Sequence, residues 1–289
     1  MTAKILAAAP VVDQMKKNLI ERCESLKANQ ITPSMSVVLV GNNPASLSYI
    51  RNKRKMCEEI GADFALVQLP ADVSEDRFLA EVSRLNRDPK VHGIIVQLPV
   101  SEYLRKLDLP NLISPGKDID GFHEANTQKL YAGSTDLGLL MPCTPKGIVN
   151  LLRFYKVELR RKHVVIVGRS LIVGKPLSML LSNLDATVTL AHSKTAHLSE
   201  LTRRADIVVA AIGSPNYFDA AYFEKGKASV VVDVGMNSRD GKLTGDVDPA
   251  VKDLVSAITP VPGGVGPMTV ISLIENLITA SEELHKGKV

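Results

Sequence analysis

His163-Val164-Val165-Ile166-Val167-Gly168-Arg169-Ser170-Leu171-Ile172-Val173-Gly174-Lys175-Pro176 runs a buried strand, a tight turn and a helix start together without a break. Gly168 lets the chain turn sharply, and the N–H groups of the helix that opens next attract an anion, so a pyrophosphate has a natural seat here. The strict G-x-G-x-x-G is not met, because Ser170 and Val173 stand at its second and third glycines. On this segment alone a plain βα turn competes with a nucleotide loop.

The next strand favours the nucleotide loop. Residues 187–191 end in His192-Ser193-Lys194-Thr195, where the Asp or Glu that grips a ribose 2′-hydroxyl would otherwise stand. An acid there would repel a 2′-phosphate. Arg169 in the loop, with Ser193 and Lys194 at the strand end, offers charge and hydrogen bonds to one. The pattern selects NADP over NAD, with solvated surface charge as the competing account of Arg169 and, more strongly, of Lys194.

Around this core, apolar runs of strand length alternate with stretches of helical period almost throughout, the pattern of an α/β protein with parallel sheets. Strands at 206–212 and 229–234, with a helix from Pro145 on a Thr144 cap, complete a nucleotide-binding half. The first half carries strands at 37–40, 64–69 and 93–98. Its helices are 10–26, 44–60 closed by Gly61, and 74–85 starting on Ser74 with Glu75 and Asp76 in the first turn. Regularity lapses over 101–122, too long a stretch for a simple connector, and such loops tend to be functional. A last helix, 267–284, is expected to pack back on the first domain.

Composition narrows the function. The 289 residues are 45% hydrophobic, enough for two cores, and the formal charge of +4 is a mild surplus that suits a polyanionic small molecule rather than nucleic acid. Tryptophan is absent and aromatics are only 4%, which speaks against a base-stacking surface. Cys23, Cys57 and Cys143 are far apart without a CxxC pair, so they read as buried thiols and not as metal ligands. No apolar run approaches the roughly 18 residues of a membrane span, and residues 1–9 are short of charge and apolar length for a signal peptide. A cytoplasmic protein is expected, with no membrane and no nucleic-acid partner.

Tyr49 and Lys53 stand four residues apart on a predicted helix, sharing one face one turn apart, although Arg51, Lys53, Arg54 and Lys55 could equally make a solvated basic face. Gln97 ends a predicted strand at the edge where parallel sheets bind ligands. Lys117-Asp118-Ile119-Asp120 places two carboxylates two apart in the irregular loop, one free to pair Lys117 while the other meets a ligand. The Pro/Gly loop from Thr259 to Thr269, with Pro262-Gly263-Gly264-Val265-Gly266-Pro267 at its centre, can admit a flat ligand close to the main chain, or be only a rigid turn.

These segments, in this order, resemble the bifunctional methylenetetrahydrofolate dehydrogenase/methenyltetrahydrofolate cyclohydrolase family over essentially the whole chain. The likeness rests on Tyr49 with Lys53, Gln97-Leu98-Pro99, Lys117 to Phe122, Pro142-Cys143-Thr144-Pro145, Gly168-Arg169-Ser170 with Val173-Gly174-Lys175-Pro176, and Pro262 to Thr269. The family's own nucleotide loop carries the serine form. The resemblance implies two α/β domains with an active-site cleft between them: a catalytic folate-binding domain, 1–139, completed by the helix 267–289, and a Rossmann-like NADP domain, 140–266. It implies NADP-dependent oxidation of 5,10-methylenetetrahydrofolate, then hydrolysis to 10-formyltetrahydrofolate, in a homodimer. Lys53 would be the central catalyst, an amine tuned by its surroundings to shuttle protons. Gln97 would hold it, Tyr49 would stack on the aminobenzoate ring, and Asp120 would bind the pterin. Pro262, Gly263 and Gly264 would complete the substrate site. Gly168, Arg169, Ser170, Gly174, Pro176 and Ser193 would bind NADP, and no metal is implied. A shikimate-type dehydrogenase and an inert NADP-binding module are the rival readings, and cyclohydrolase activity separates them.

Overall fold

The structure, a computed structural model, describes residues 2–227, 229–239 and 242–286. Along the chain come β1 (Lys4–Ile5), α1 (Ala9–Ala28), β2 (Ser34–Val40), α2 (Pro44–Ile60), β3 (Asp63–Leu69), α3 (Glu75–Arg87), β4 (Gly93–Gln97), α4 (Leu109–Leu112) and α5 (Glu124–Tyr131). There follow α6 (Cys143–Phe154), β5 (His163–Val167), α7 (Gly174–Asn183), β6 (Thr187–Ala191), α8 (Leu198–Arg204), β7 (Ile207–Ala210) and β8 (Val230–Asp233). The hairpin β9 (Asn237–Arg239) and β10 (Lys242–Thr244), then β11 (Ala257–Ile258) and α9 (Val265–Leu284), complete the order. The chain divides into two compact units. One comprises the stretch ending at Asp13, Leu130–Thr135 and Thr144–Thr269; the other comprises Gln14–Lys129, Asp136–Cys143 and the stretch from Val270.

The first unit is built on a parallel sheet of order β1-β11-β8-β7-β5-β6. Its central strands read as unbroken Val and Ile because both faces are covered: Val164, Val165, Ile166, Val208, Val209, Val231 and Val232 are all buried. Each such side chain contributes about 1.5–3 kcal/mol by leaving water. Residues 2–13 group with this unit by their contacts, since Lys4 and Ile5 pair with Ala257 and Ile258. Both strands of that pair are two residues long, too short for a period to register in the sequence. The Thr144 cap is corrected. Helix α6 begins at Cys143, and the Thr144 hydroxyl instead meets that of Thr269 at 3.0 Å.

The second unit has the parallel order β3-β2-β4. Helix α3 buries Phe78, Val82 and Leu85 in a cluster with Val38 and Ile94, and Ser74 Oγ caps it by accepting from Arg77 N at 3.3 Å. The irregular stretch contains the short α4 and a parallel bridge from Asp118 to Ile94 at the sheet. The later part of α9 packs in this unit, with Asn276 Nδ2 donating to the carbonyls of Ile119 and Met141, both at 2.8 Å. Of the helix expected over 267–289, residues 287–289 lie outside the described residues.

His92, just before β4, is buried, with its Nε2 3.1 Å from that of His285. Burial, then His285, then Lys117 push its pKa down to about 4 from the ordinary 6.5. The unfolded chain binds this proton more readily than the fold does. The His92 contribution is therefore fully present above pH 6.5 and is lost as pH falls toward 4, about 3 kcal/mol in all. The buried Asp233 carboxyl, lifted to about 6, works in the opposite sense over the same window, so the His92 contribution is read as a difference: from pH 6.5 down to 4 the urea midpoint of the wild type should fall relative to that of His92→Leu. Parallel slopes for the two proteins would place the acid lability elsewhere.

Candidate active site

In the second unit the chain leaves β2 to one side for β3 and crosses back to the other side for β4. The topological switch therefore lies between the C-terminal ends of β2 and β4, where open α/β sheets bind ligands. Gln97 is the last residue of β4, and Lys53 stands on α2, the helix that follows β2. Lys53 Nζ donates to Gln97 Oε1 at 3.0 Å, while Gln97 Nε2 donates to the Leu98 carbonyl at 3.0 Å. Both ends of the amide are used, so its oxygen is held toward the amine. The Leu98–Pro99 peptide is cis, and Ser46 Oγ of α2 donates to the same Leu98 carbonyl at 3.2 Å. The helix start is itself fixed, as Asn43 Oδ1 accepts from Ala45 N and Ser46 N. Tyr49, one turn before Lys53, is 44% exposed, so its ring is displayed instead of stored in the core.

Asp120 joins this group. Desolvation pushes its carboxyl above the usual range, the Lys53 charge opposes that, and Asp118 adds to the rise. A desolvated carboxylate beside an ammonium is poised to accept hydrogen bonds from a ligand that brings donors. The two acids differ in what they meet. Asp118 is buried and saturated, accepting from Gly121 N at 3.1 Å, His123 N at 2.7 Å and Asn126 Nδ2 at 3.0 Å. Lys117 pairs with neither acid. Its ammonium donates to the carbonyls of Leu85 and Asp88 at 3.2 and 2.6 Å, closing the C-terminus of α3, and burial lowers its pKa. Gly121, at φ +78°, could not carry a side chain, since a Cβ would lie 2.2 Å from the Met141 carbonyl carbon.

Of the basic residues flanking Lys53, Arg54 lies over the Phe64 ring at 4.9 Å and Lys55 pairs with Glu59 at 3.8 Å. All three cysteines are buried. Among the described residues no group of three or more His, Cys, Asp or Glu is placed to hold a metal.

The first unit carries the nucleotide-type loop. A Cβ on Gly168 would lie 2.1 Å from the Ala211 carbonyl oxygen, and one on Gly174 would lie 1.8 Å from the Gly168 oxygen, so the loop closes on itself only with glycine at both places. Ser170 supplies the lock a glycine fingerprint lacks: its Oγ accepts from Val173 N at 3.1 Å and its carbonyl accepts from Lys175 N at 3.1 Å. No acid lies in the first turn of α7, and Pro176 is buried there. The register pairs Val167 with Ala191, so Arg169 and Ser193 emerge at the same level from adjacent strands, both exposed. Lys194 is exposed beside them, its N–H donating to His192 Nδ1. These positions fit an anionic dinucleotide carrying an extra phosphate.

In the Pro/Gly loop, Pro262 follows a cis peptide, and both Pro262 and Gly263 are exposed. Gly264 is not. It is buried, and a Cβ there would lie 2.5 Å from the Pro260 oxygen, so the turn requires glycine at this place. Sequence reading missed Asp233 and Asp246, both buried. Asp233 accepts from Gly235, Asp246 and Val247 N, while burial lifts its pKa to about 6 against those three donors. No spacing could have found them, because the Asp246 partners lie as far away as Ile212.

Comparison with known proteins agrees with this geometry. Residues 6–120 match the model for the catalytic domain of tetrahydrofolate dehydrogenase/cyclohydrolase, and residues 142–285 match that for its NAD(P)-binding domain. The chain is 45% identical over 284 residues to the bifunctional protein FolD of Halalkalibacterium halodurans, covering 98% of this chain and all of that protein. It superposes with a TM-score of 0.93 on the bifunctional FolD enzyme of Campylobacter jejuni, at 40% identity, over 97% of this chain and 99% of that one. The Trypanosoma brucei dehydrogenase-cyclohydrolase, solved in complex with NADP cofactor and inhibitor, superposes at 0.91 with 34% identity and 98% coverage of each chain. Shikimate dehydrogenase of Aquifex aeolicus, at 14% identity and 0.52, shares the fold alone. With both domain models matched and relatives aligned end to end, the chain belongs to the tetrahydrofolate dehydrogenase/cyclohydrolase family.

Proposed function

We infer that this chain is a bifunctional enzyme of one-carbon folate metabolism, oxidising 5,10-methylenetetrahydrofolate to 5,10-methenyltetrahydrofolate with NADP and hydrolysing that product to 10-formyltetrahydrofolate. The observation that carries the reading is the Lys53–Gln97 hydrogen bond beside the desolvated Asp120. NADP, when bound, supplies the hydride acceptor. Tyr49 stacks on the aminobenzoate ring, and Asp120 accepts from the pterin amino and ring N–H groups. Pro262 and Gly263 offer exposed backbone to the flat ligand. In hydrolysis, water adds to the cationic methenyl carbon and its proton passes to Lys53 in the fraction of molecules that carries the neutral amine. The C–N bond to one ring nitrogen then breaks as that nitrogen is protonated from Lys53, while the new hydroxyl gives up its proton to solvent and becomes the formyl C=O. Gln97 keeps the amine aimed through both transfers.

Gly168, Ser170, Gly174 and Pro176 shape the pyrophosphate loop, while Arg169 and Ser193 hold the 2′-phosphate. Arg169→Ala should weaken NADP by about 1.5–3 kcal/mol, the worth of a charged hydrogen bond, and barely touch NAD. Equal losses for the two cofactors, measured by calorimetry, would move Arg169 off the 2′-phosphate. The whole reading is tested by assaying purified protein for NADP-linked oxidation and for methenyltetrahydrofolate hydrolysis above the spontaneous rate. A protein lacking the second activity would be another dehydrogenase or an inert module. Family likeness also supports a homodimer at work in the cytoplasm. One sedimentation run checks the first point, and no helix among the described residues is long and apolar enough to cross a membrane.

A further inference from the structure

Asp246 has no exposed surface, yet its carboxylate accepts four hydrogen bonds. Oδ2 takes Ile212 N at 2.7 Å and Gly213 N at 3.0 Å. Oδ1 takes Ser214 N at 2.8 Å and Asn237 Nδ2 at 2.9 Å. Three consecutive N–H groups after β7, and the side chain that opens β9 after β8, thus converge on one residue. Asp246 is in turn pinned through its own N–H, which donates to Asp233 Oδ1 at 2.9 Å. A Cβ on Gly235 would fall 2.4 Å from Asp246 Oδ1, and one on Gly245 would fall 1.8 Å from Asp233 Oδ2. The two acids are packed against backbone and cannot swing away.

The sheet order says what those loops serve. With β6 on one side of β5 and β7 and β8 on the other, a dinucleotide whose pyrophosphate lies over the β5–α7 turn puts its adenosine half toward β6. Its nicotinamide half then lies toward the C-terminal ends of β7 and β8. Those are the ends that Asp246 ties together.

We propose that Asp246 is a positioning residue for the nicotinamide half of the cofactor, shaping the 212–214 turn and the Asn237 corner into a single rigid floor. The inference rests on the NADP reading above. It predicts a split within one ligand: contacts to the adenosine half do not depend on Asp246, and contacts to the nicotinamide half do.

The experiment compares NADPH with adenosine 2′,5′-bisphosphate, which lacks that half, by calorimetry on wild type, Asp246→Asn and Asn237→Ala. Asparagine keeps the shape but turns an NH₂ toward two N–H donors. Asp246→Asn should raise the NADPH Kd about tenfold or more while the bisphosphate Kd stays within about twofold. Asn237→Ala, which removes one of the four donors, should show the same split at smaller size. If circular dichroism shows Asp246→Asn to be unfolded, Asn237→Ala decides by the same ratio. Equal weakening of both ligands, or no change in either, overturns the assignment while leaving the NADP reading intact. A wild type that binds neither ligand overturns both.

Discussion

Lys53→Met should abolish hydrolysis of methenyltetrahydrofolate while leaving a measurable part of NADP-linked oxidation. The methionine keeps much of the stem and removes the amine, so the face of α2 stays filled and Gln97 Oε1 loses the donor it holds at 3.0 Å. Oxidation depends mainly on holding folate and NADP in line, which Tyr49, Asp120 and the nucleotide loop still do. Hydrolysis also needs a proton removed from water and one returned to the departing nitrogen, help worth about a hundred- to ten-thousandfold. Loss of that order brings the rate down to the spontaneous background. Gln97→Ala should cost less, because the amine survives and loses only its aim. The two reactions should be assayed on variants shown to fold and to bind NADPH. Near-normal hydrolysis by Lys53→Met would return Lys53 to the basic face it shares with Arg51 and Lys55.

The second large effect is expected at Asp120. A carboxylate can take two parallel N–H bonds from the pterin edge, whereas the amide of Asp120→Asn takes one and turns its own donors on the other. Losing one charged bond and opposing a second costs about 2–4 kcal/mol, or roughly thirty- to a thousandfold in KM for folate in both reactions. The NADPH Kd should hold, since nothing in the nucleotide loop rests on Asp120. The substitution also removes the countercharge felt by Lys53, so a modest fall in the hydrolytic kcat should accompany the KM effect. A change confined to kcat, with folate KM untouched, would take Asp120 off the pterin and make it a partner of Lys53 alone.

What could be read in the sequence divides along physical lines. Strands β5, β7 and β8 announce themselves because a doubly covered parallel strand favours a nearly unbroken run of Val and Ile. Helix α2 carries a cap and a closing glycine that act within a few residues. Where the deciding partner is distant, local spacing says nothing or misleads. Lys117 lies next to Asp118 in sequence, yet spends its amine on α3 carbonyls at Leu85 and Asp88. Thr144 precedes a proline like a good cap, but its hydroxyl goes to Thr269. Asp246 sits in a turn-rich stretch that gives no hint of the three N–H groups waiting after β7. The candidate site lay between these cases. Lys53, Gln97 and Asp120 belong to separate segments, and it was six motifs in one order, not any single spacing, that put them together before the fold did.

The pairing of β1 with β11 also sets a timetable. The edge strand near the N-terminus has its partner at Ala257–Ile258, and Ala8 N donates at 2.8 Å to the carbonyl of Gly263 within the Pro/Gly loop. On a ribosome adding roughly 5–20 residues per second, β1 waits roughly 10–50 s for its neighbour to be made, long after β2, β3 and β4 can have paired. Through that interval the six-stranded sheet is incomplete at one edge. Contacts of such wide sequence separation are also the slow ones to form. The nascent chain therefore passes through a stage in which the folate-type sheet is closed and the nucleotide-type sheet still has an unfilled berth, open to any other strand that arrives first.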